Sequence, residues 1–428
     1  MLRDFQVALK QGIYNAWAQP NVFNVMPTLA TGGGKTTVFC DVVREEDVPS
    51  VVIAHRQELV AQAALSLNRE RIPHDVIAPK AVIQAIIAAE NETFGYSTYR
   101  YKSDVRAAGV DTFIRYDPTD RWLSQVQLTV IDEGHHVQAA NKWGRALALT
   151  PNTRGLFPTA HAVRADGNGL GRAAAGLVDA LVIGPCGRDL ITRGYLTDYR
   201  LLCPPGDIDF SDLPIGPTGE YSAPKLRART HSSKQLVGDI VKHYLLHAAG
   251  KLGITFAVDI ESANEISKAY NGAGVPSAII TSDTPIGTRA SLLRQFRNRR
   301  LLQLVSVDCL GEGVDVPAVE VVSLGRRTAS WQLYCQQIGR ALRPLLSETE
   351  AQGWGSLTDA ERLERIRLSS KPTAIIIDHV GNCIYHGLPD VPQIYSLEND
   401  QQGGRGKGEQ MPLRTCLKCT RPYERFLL

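Results

Sequence analysis

Three consecutive glycines followed by Lys35-Thr36-Thr37 are the residues of this chain best suited to hold a polyphosphate. An apolar run, Val22 to Leu29, leads into Ala30-Thr31-Gly32-Gly33-Gly34, and Val38-Phe39-Cys40-Asp41-Val42-Val43 reads as a helix start behind it. Glycines let backbone N–H groups turn inward around phosphates, and a helix N-terminus adds partial positive charge. In that arrangement Thr31, Gly32, Gly33, Gly34 and Thr37 line the phosphates. Lys35 reaches the β and γ phosphates, and the Thr36 hydroxyl ligates Mg²⁺. The general pattern has glycine where this chain has Leu29, but the working half is kept. A tight turn before an ordinary helix is the bland alternative, and few such turns end in Lys-Thr.

A second acidic motif follows another buried-strand run. Leu128-Thr129-Val130-Ile131 ends in Asp132-Glu133-Gly134-His135-His136. Carboxylates at the C-terminal end of a parallel strand face the same crevice as a phosphate loop. Asp132 then belongs to the Mg²⁺ shell, and Glu133 accepts a proton from an attacking water. A solvated acidic turn is the competing reading, and the upstream phosphate loop disfavours it. Together the two motifs imply hydrolysis of a nucleoside triphosphate with Mg²⁺.

Such residues need parallel strands to carry them, and the chain supplies the pattern. Short β-branched runs recur at Val22–Leu29, Ser50–Ala54, Val126–Ile131, Ile254–Val258, Leu301–Val307, Val319–Leu324 and Ala374–Ile377, each followed by a segment of helical character. Strands alternating with helices predict an α/β fold of parallel sheets covered on both faces. Pro204 to Ser233 breaks the alternation with prolines, glycines and polar residues. The expected organisation is a first domain over 1–203, a linker over 204–234, a second domain over 235–387 and an extension over 388–428. The glycine-rich Gly403–Gly408 reads as a tether.

At 428 residues the chain has room for two cores. Apolar residues at 43% and charged residues at 21% are ordinary for globular proteins, and no run reaches the roughly 20 apolar residues that cross a bilayer. The N-terminus lacks the features of a secretory signal, so a cytoplasmic protein without membrane contact is expected. A net charge of +3 neither demands nor excludes a polyanionic partner. Six cysteines (Cys40, Cys186, Cys203, Cys309, Cys335 and Cys383) stand singly among apolar neighbours, as buried reduced thiols do.

With these motifs in hand, the chain resembles the superfamily 2 helicases. Asp132-Glu133-Gly134-His135 is similar to their DEAD/DEAH box, Ala30–Thr36 to their first motif and Ala54-His55-Arg56-Gln57-Glu58-Leu59 to motif Ia. Ala108–Phe113 sits where a nucleic-acid-contacting motif lies, and Leu2–Gln6 resembles a Q-type start, which makes Arg3 and Gln6 readers of adenine. Gly311–Pro317 resembles motif V, placing Gly313 and Asp315 at the nucleotide with Asp315 at the ribose. Gln336-Gln337-Ile338-Gly339-Arg340-Ala341-Leu342-Arg343 resembles motif VI. There the resemblance makes Arg343 an arginine finger with Arg340 beside it, and sets Gln336 by the attacking water or γ phosphate. Without the family, that spacing reads as a basic helix face. Asp378–Asn382 with His386–Asp390 resembles the segment after motif VI in RadD-like helicases and phage relatives. One departure stands out: Thr159-Ala160-His161-Ala162 replaces the usual Thr-Ala-Thr-Pro of motif III, before Arg164-Ala165-Asp166-Gly167.

The resemblance implies two tandem RecA-like domains and a motor that uses ATP and Mg²⁺ to move on nucleic acid. Arg56 and Thr112 become contacts to a threaded strand, mostly through phosphate. It favours DNA, single-stranded or branched, over RNA. It also implies a monomer in a bacterial or phage-infected cell that works beside single-strand-binding, replication or repair proteins. An RNA helicase, and a nucleic-acid adaptor with little ATP turnover, are the alternatives. Finally, Cys416-Leu417-Lys418-Cys419 has the spacing of a zinc knuckle, but a closed Zn²⁺ site needs four ligands and no Cys or His follows. Half a zinc site, a reduced pair and a redox pair all remain open.

Overall fold

A computed structural model describes residues 2–164, 166–216, 218–307, 319–398, 413–416 and 420–424. The chain forms two compact units, Met1–Pro185 with Tyr395–Gly403, and Cys186–Ile394 with Gly404–Leu428.

In the first unit seven strands form one sheet: β1 (Asn24–Thr28), β2 (Ser50–Ala54), β3 (His74–Ile77), β4 (Val105–Gly109), β5 (Leu128–Ile131), β6 (Arg154–Leu156) and β7 (Ala180–Ile183). Their order is β3-β4-β2-β5-β6-β1-β7, and every pairing is parallel. β1, β2 and β5 are buried along their whole length, which explains why they read as largely apolar runs rather than alternating ones. The chain leaves β1 through the helix Lys35–Glu46 and re-enters the sheet three places away as β2; β5 and β6 later fill the gap. Since all strands run one way, the segments after β1, β6 and β5 emerge side by side at the C-terminal edge, where parallel α/β sheets bind ligands.

The second unit repeats the plan with β8 (Tyr199–Leu202), β9 (Gly253–Phe256), β10 (Ser277–Ile280), β11 (Gln303–Ser306), β12 (Val321–Leu324) and β13 (Ala374–Asp378) in the order β10-β11-β9-β12-β13-β8, again all parallel. A separate hairpin pairs β14 (Leu413–Thr415) with β15 (Pro422–Glu424) antiparallel. The two sheets are tandem RecA-like domains.

The first unit gives way to the second after Pro185, earlier than the expected break at 203, because β8 pairs with β13 of the second sheet. The expected linker, 204–234, is not a free connection. Phe210, Tyr221 and Leu226 insert into the core of the second unit, and Ala223–His231 is helical. Its apolar residues are too sparse to show a period, yet these three are buried in that core, while Ile215 stays exposed. The start of the expected extension is also packed: Asp390 is buried, and Tyr395 and Leu397 pack against the core of the first unit. Among the described residues no helix is long and apolar enough to cross a membrane.

Candidate nucleotide and nucleic-acid site

The glycine loop leaves β1 and closes on itself, Gly33 N–H donating to Ala30 O at 2.8 Å. Gly32 and Gly34 adopt φ of 87° and 89°, a region that L side chains rarely enter, and Gly34 caps the helix Lys35–Glu46. Leu29, the departure from the usual pattern, has a local explanation. Its buried side chain lies under Gly33, where an added Cβ would meet Leu29 Cγ at 2.7 Å. The loop is therefore supported from below by an apolar contact. Behind it begins the helix Lys35–Glu46, and the first N–H groups of a helix have no partner within it, which suits them to an anion. Thr31 Oγ1 is buried without a partner among the described residues, an orphan that a phosphate oxygen can satisfy.

Gln6 reaches the loop from the N-terminal helix Asp4–Trp17. Its Nε2 donates to Gly33 O at 2.8 Å, and its Oε1 accepts the Arg3 N–H at 2.9 Å. Both ends of the amide are thus engaged with backbone, and Gln6 links the start of the chain to the phosphate loop. Thr37 Oγ1 accepts from Arg69 Nη2 at 3.2 Å, while Lys35 and Thr36 are half-buried at the head of the helix.

Two strands away, Asp132 and Glu133 follow β5. Glu133 is 8% exposed and sits at φ 53°, a left-handed conformation uncommon outside glycine that aims its carboxylate inward. Its Oε2 lies 3.5 Å from His135 Nδ1, and that nitrogen is 3.1 Å from Thr159 Oγ1. Thr159 gives its own proton to His161 O at 3.1 Å, so it accepts from His135, which assigns the proton to Nδ1. Arg164 clasps the motif from outside: it donates to His135 O at 3.1 Å and forks onto Asp166 at 2.9 and 2.5 Å. Burial pushes the Asp166 carboxyl up, but the Arg164 bonds outweigh it and hold it below the usual range. These contacts join the loops after β5 and β6 into one network, and they involve residues that sequence reasoning quoted in motif III without assigning a role.

Gly134 is where that network is tightest. A Cβ there would fall 2.5 Å from Phe157 Cβ and 2.6 Å from Phe157 O. Backbone cannot yield as a flexible side chain can, so Gly134→Ala is expected to cost about 1–3 kcal/mol. Thermal denaturation should register this as a melting point lower by several degrees; an unchanged melting curve would show that the close approach is absent.

His161 stands beside the phosphate loop, its Nδ1 2.9 Å from the Tyr395 hydroxyl. Burial, with the nearby charge of Lys35, lowers its pKa to about 3; burial, with His136 and Arg164 next, takes His135 well below its ordinary value. In the second unit burial, and then His243, lowers His379 to about 3. All three are neutral when folded and gain protons near pH 6.5 when unfolded. Their contribution is complete above about pH 6.5 and is lost as pH falls below it, because the unfolded chain takes up protons that the folded one refuses. His231, raised by its hydrogen bond to Asp259, works the other way, but it is partly exposed. Melting at pH 5.5 should therefore fall below melting at pH 8. Equal or higher stability at pH 5.5 would contradict the neutral assignment.

Arg56 follows β2 and caps the helix Gln57–Arg69, and Thr112 is exposed on the short helix Val110–Phe113 after β4. β2 and β4 are neighbours, so both residues stand at the edge that carries the phosphate loop, on the side away from it.

In the second unit the helix Trp331–Gly339 is capped by Ser330 and buries Gln336, whose Nε2 has no partner among the described residues. Arg340 and Arg343 are half-buried at its C-terminal end. Lys371, itself buried, donates to Arg343 O at 2.6 Å, and Thr197 N–H donates to Leu342 O at 2.7 Å. The loop before the helix is held by residues after β13. Asn382 accepts the Thr328 N–H and donates to Arg326 O, both at 3.0 Å, and His386 Nε2 lies 3.0 Å from Thr328 O. Glu220, from the expected linker, accepts the Ala329 N–H at 2.7 Å. Gly313, Asp315 and Cys419 lie outside the described residues; Cys416 is half-buried at the turn of the β14–β15 hairpin.

Comparison with known proteins agrees with this construction. Residues 1–160 match the family model described as "Type III restriction enzyme, res subunit", and residues 237–344 match that of "Helicase conserved C-terminal domain". A Lactococcus phage protein named "51.5 kDa protein" is 27% identical over 394 residues, covering 91% of this chain and 73% of its own. A Saccharomyces cerevisiae protein that carries the provisional name ATP-dependent helicase IRC3 is 27% identical over 368 residues, and this chain spans 49% of it. In fold, the chain is similar to a fragment assigned as the HsdR subunit of a Vibrio vulnificus type I restriction enzyme. The TM-score is 0.58 at 18% identity, covering 90% of this chain and 65% of that one. ATP and Mg²⁺ are the cofactors these modules imply. The chain is a superfamily 2 helicase-like protein related to restriction-enzyme and helicase modules, an ATP-hydrolysing enzyme that acts on nucleic acid.

Proposed function

We propose that this chain is a DNA translocase of the helicase type, which couples Mg-ATP hydrolysis to movement on single-stranded or branched DNA. The observation that carries the reading is the meeting, at one sheet edge, of a glycine loop on a helix N-terminus with the buried, inward-aimed Glu133. Lys35 binds the β and γ phosphates, and Glu133 takes a proton from water. Thr36 and Asp132 would hold Mg²⁺, which supplies charge neutralisation for the phosphates. Arg340 and Arg343 offset the charge that develops on the transferring phosphoryl group, with Gln336 near the water. Arg56 and Thr112 touch the DNA backbone.

DNA is inferred over RNA because the first module matches a restriction-enzyme family. Within the superfamily we place the chain nearest the RadD-like and phage helicases. Asp378–Asn382 and His386–Asp390 carry that likeness, and here Asn382 and His386 brace the loop before the motif VI helix.

The test is ATP turnover by the purified chain with no polymer, with single-stranded DNA, with forked duplex and with RNA. Strong stimulation by DNA supports the proposal. Stimulation by RNA alone would move the substrate and keep the engine; turnover indifferent to every polymer would overturn the motor.

A further inference from the structure

The second unit carries a cleft, at the end of its sheet away from Asp378, that the nucleotide chemistry leaves unused. Its volume is about 700 Å³, and its walls include Arg200, Leu201, His247, Lys251 and Ile375. The fold explains why these residues meet. β8 and β13 are adjacent parallel strands, and Arg200, near the start of β8, pairs with Ile375, near the start of β13. His247 lies in the last turn of the helix Leu236–Ala248, and Lys251 in the connection from that helix into β9. Since β9 runs parallel to β8 and β13 in the same sheet, all of them gather at the N-terminal ends of the strands.

The lining is one-sided in charge. Arg188, Arg200, Lys251 and Arg421 are cationic, His247 can become so, and no aspartate or glutamate is among the described residues that line the cleft. Carboxylates outside it balance two of these groups: Arg188 pairs with Asp390 and, at 3.3 Å, with Asp198, while Lys251 lies 3.3 Å from Glu320. Arg200 differs. Its Nε is buried and has no hydrogen-bond partner among the described residues. Burial, and after it the charge of Arg200, lowers the pKa of His247, so the two basic groups work against each other. A buried donor left unpaired beside uncompensated positive charge costs stability until an anion satisfies it.

The chemistry of the walls narrows the anion. Arginine is suited to phosphate, since its planar fork matches phosphate oxygens. A cleft of this size takes more than a lone phosphate group, and Leu201 and Ile375 offer an apolar surface to a sugar or base beside it. A nucleoside triphosphate arrives with Mg²⁺, and the described lining has no carboxylate to hold the metal. A phosphodiester carries one negative charge per unit and needs no metal. We propose that this cleft binds a phosphodiester segment of the nucleic acid, with Arg200 as its main contact. It adds to the contacts of Arg56 and Thr112, and it rests on the reading of the chain as a nucleic-acid motor. Contacts of this kind position a strand without reading its sequence.

The test is binding of fluorescein-labelled oligothymidylate and oligouridylate to the full chain without nucleotide, read by anisotropy over a series of salt concentrations. Arg200→Ala should weaken binding about 10-fold at low salt. It should also flatten the slope of log affinity against log salt by about 0.7, the value of one phosphate contact on a single strand. Arg200→Lys keeps the charge and should restore the slope, a response that a residue serving only packing would not give. ATP turnover without polymer should equal the parent's in both variants, because Arg200 lies outside the nucleotide chemistry. Affinity and slope unchanged in Arg200→Ala would overturn the proposal, as would a lost slope that Arg200→Lys does not restore. A second equivalent of a fluorescent ATP analogue, bound by the parent and lost in Arg200→Ala, would overturn it too, since the cleft would then hold a free nucleotide. Failure of the motor reading has a different signature: the parent itself would bind neither oligonucleotide and no polymer would change its turnover, and the role of the cleft would fall with it.

Discussion

A Glu133→Gln chain is expected to bind Mg-ATP as well as the parent and to hydrolyse it about 10²–10⁴-fold more slowly. The amide has the size of the carboxylate, so the 8% exposed site keeps its packing, and the φ of 53° at this position is as tolerable for Gln as for Glu. What is lost is the basic oxygen. His135, 3.5 Å from that carboxylate, is held neutral by burial and so does not neutralise it with a second charge. Equilibrium binding of a fluorescent ATP analogue, set beside steady-state turnover, separates the two effects. Parallel loss of binding and turnover would make Glu133 a structural residue, and undiminished turnover would remove it from the chemistry.

The parts of this site that could be read in advance share one property: they are local. β1, β2 and β5 are buried along their whole length and apolar through their middles, and chemistry-bearing residues follow β1 and β5 directly, so pattern and motif reinforce each other. Strands that carry polar residues are hidden, because distant partners satisfy them. β3 begins His74-Asp75, both buried, with His74 Nε2 3.0 Å from Glu90 and Asp75 accepting the Lys102 N–H at 2.8 Å. β4 carries Arg106, 4% exposed, which bonds to Tyr116 at 2.7 Å and lies 3.9 Å over the Trp122 ring. Neither strand has an apolar period, and burial of its polar groups depends on partners that only the fold brings close.

The same reasoning explains the site residues that were not foreseen. Tyr395 sits in no motif, and its contact with His161 spans more than half the chain. The Glu220 and Asn382 contacts that brace the motif VI loop come from a stretch expected to be a linker and from the far side of β13. Motif order anticipated a glutamine and two arginines near Gln336–Arg343, but not what holds them.

That bracing shapes the second large effect. Arg343→Ala is expected to lower kcat by about 10³–10⁵-fold while leaving Mg-ATP affinity near the parent value, the range observed when an arginine finger is removed. The substitution isolates the guanidinium because Lys371 grips the backbone carbonyl of Arg343, and Thr197 grips that of Leu342; alanine keeps both. The end of the motif VI helix should therefore stay in place when the side chain goes. Burial lowers the pKa of Arg343 from its ordinary value, but a guanidinium remains charged in proteins, so the parent presents a poorly solvated cation. A charge held this way interacts more strongly with a developing phosphoryl charge than one in water does. Lysine at this position is a poor substitute, since it lacks the planar fork, and Arg343→Lys should recover little of the loss. The same variant offers an internal control. Lys371, lowered to about 7 by burial first and by Arg343 in part, should titrate higher once the guanidinium is gone, detectable by NMR of a labelled lysine. A rise at Lys371 with kcat unchanged would mean that the substitution acted where intended and that the transferring phosphoryl group does not depend on Arg343. A fall in kcat beside the same rise places the arginine in the reaction.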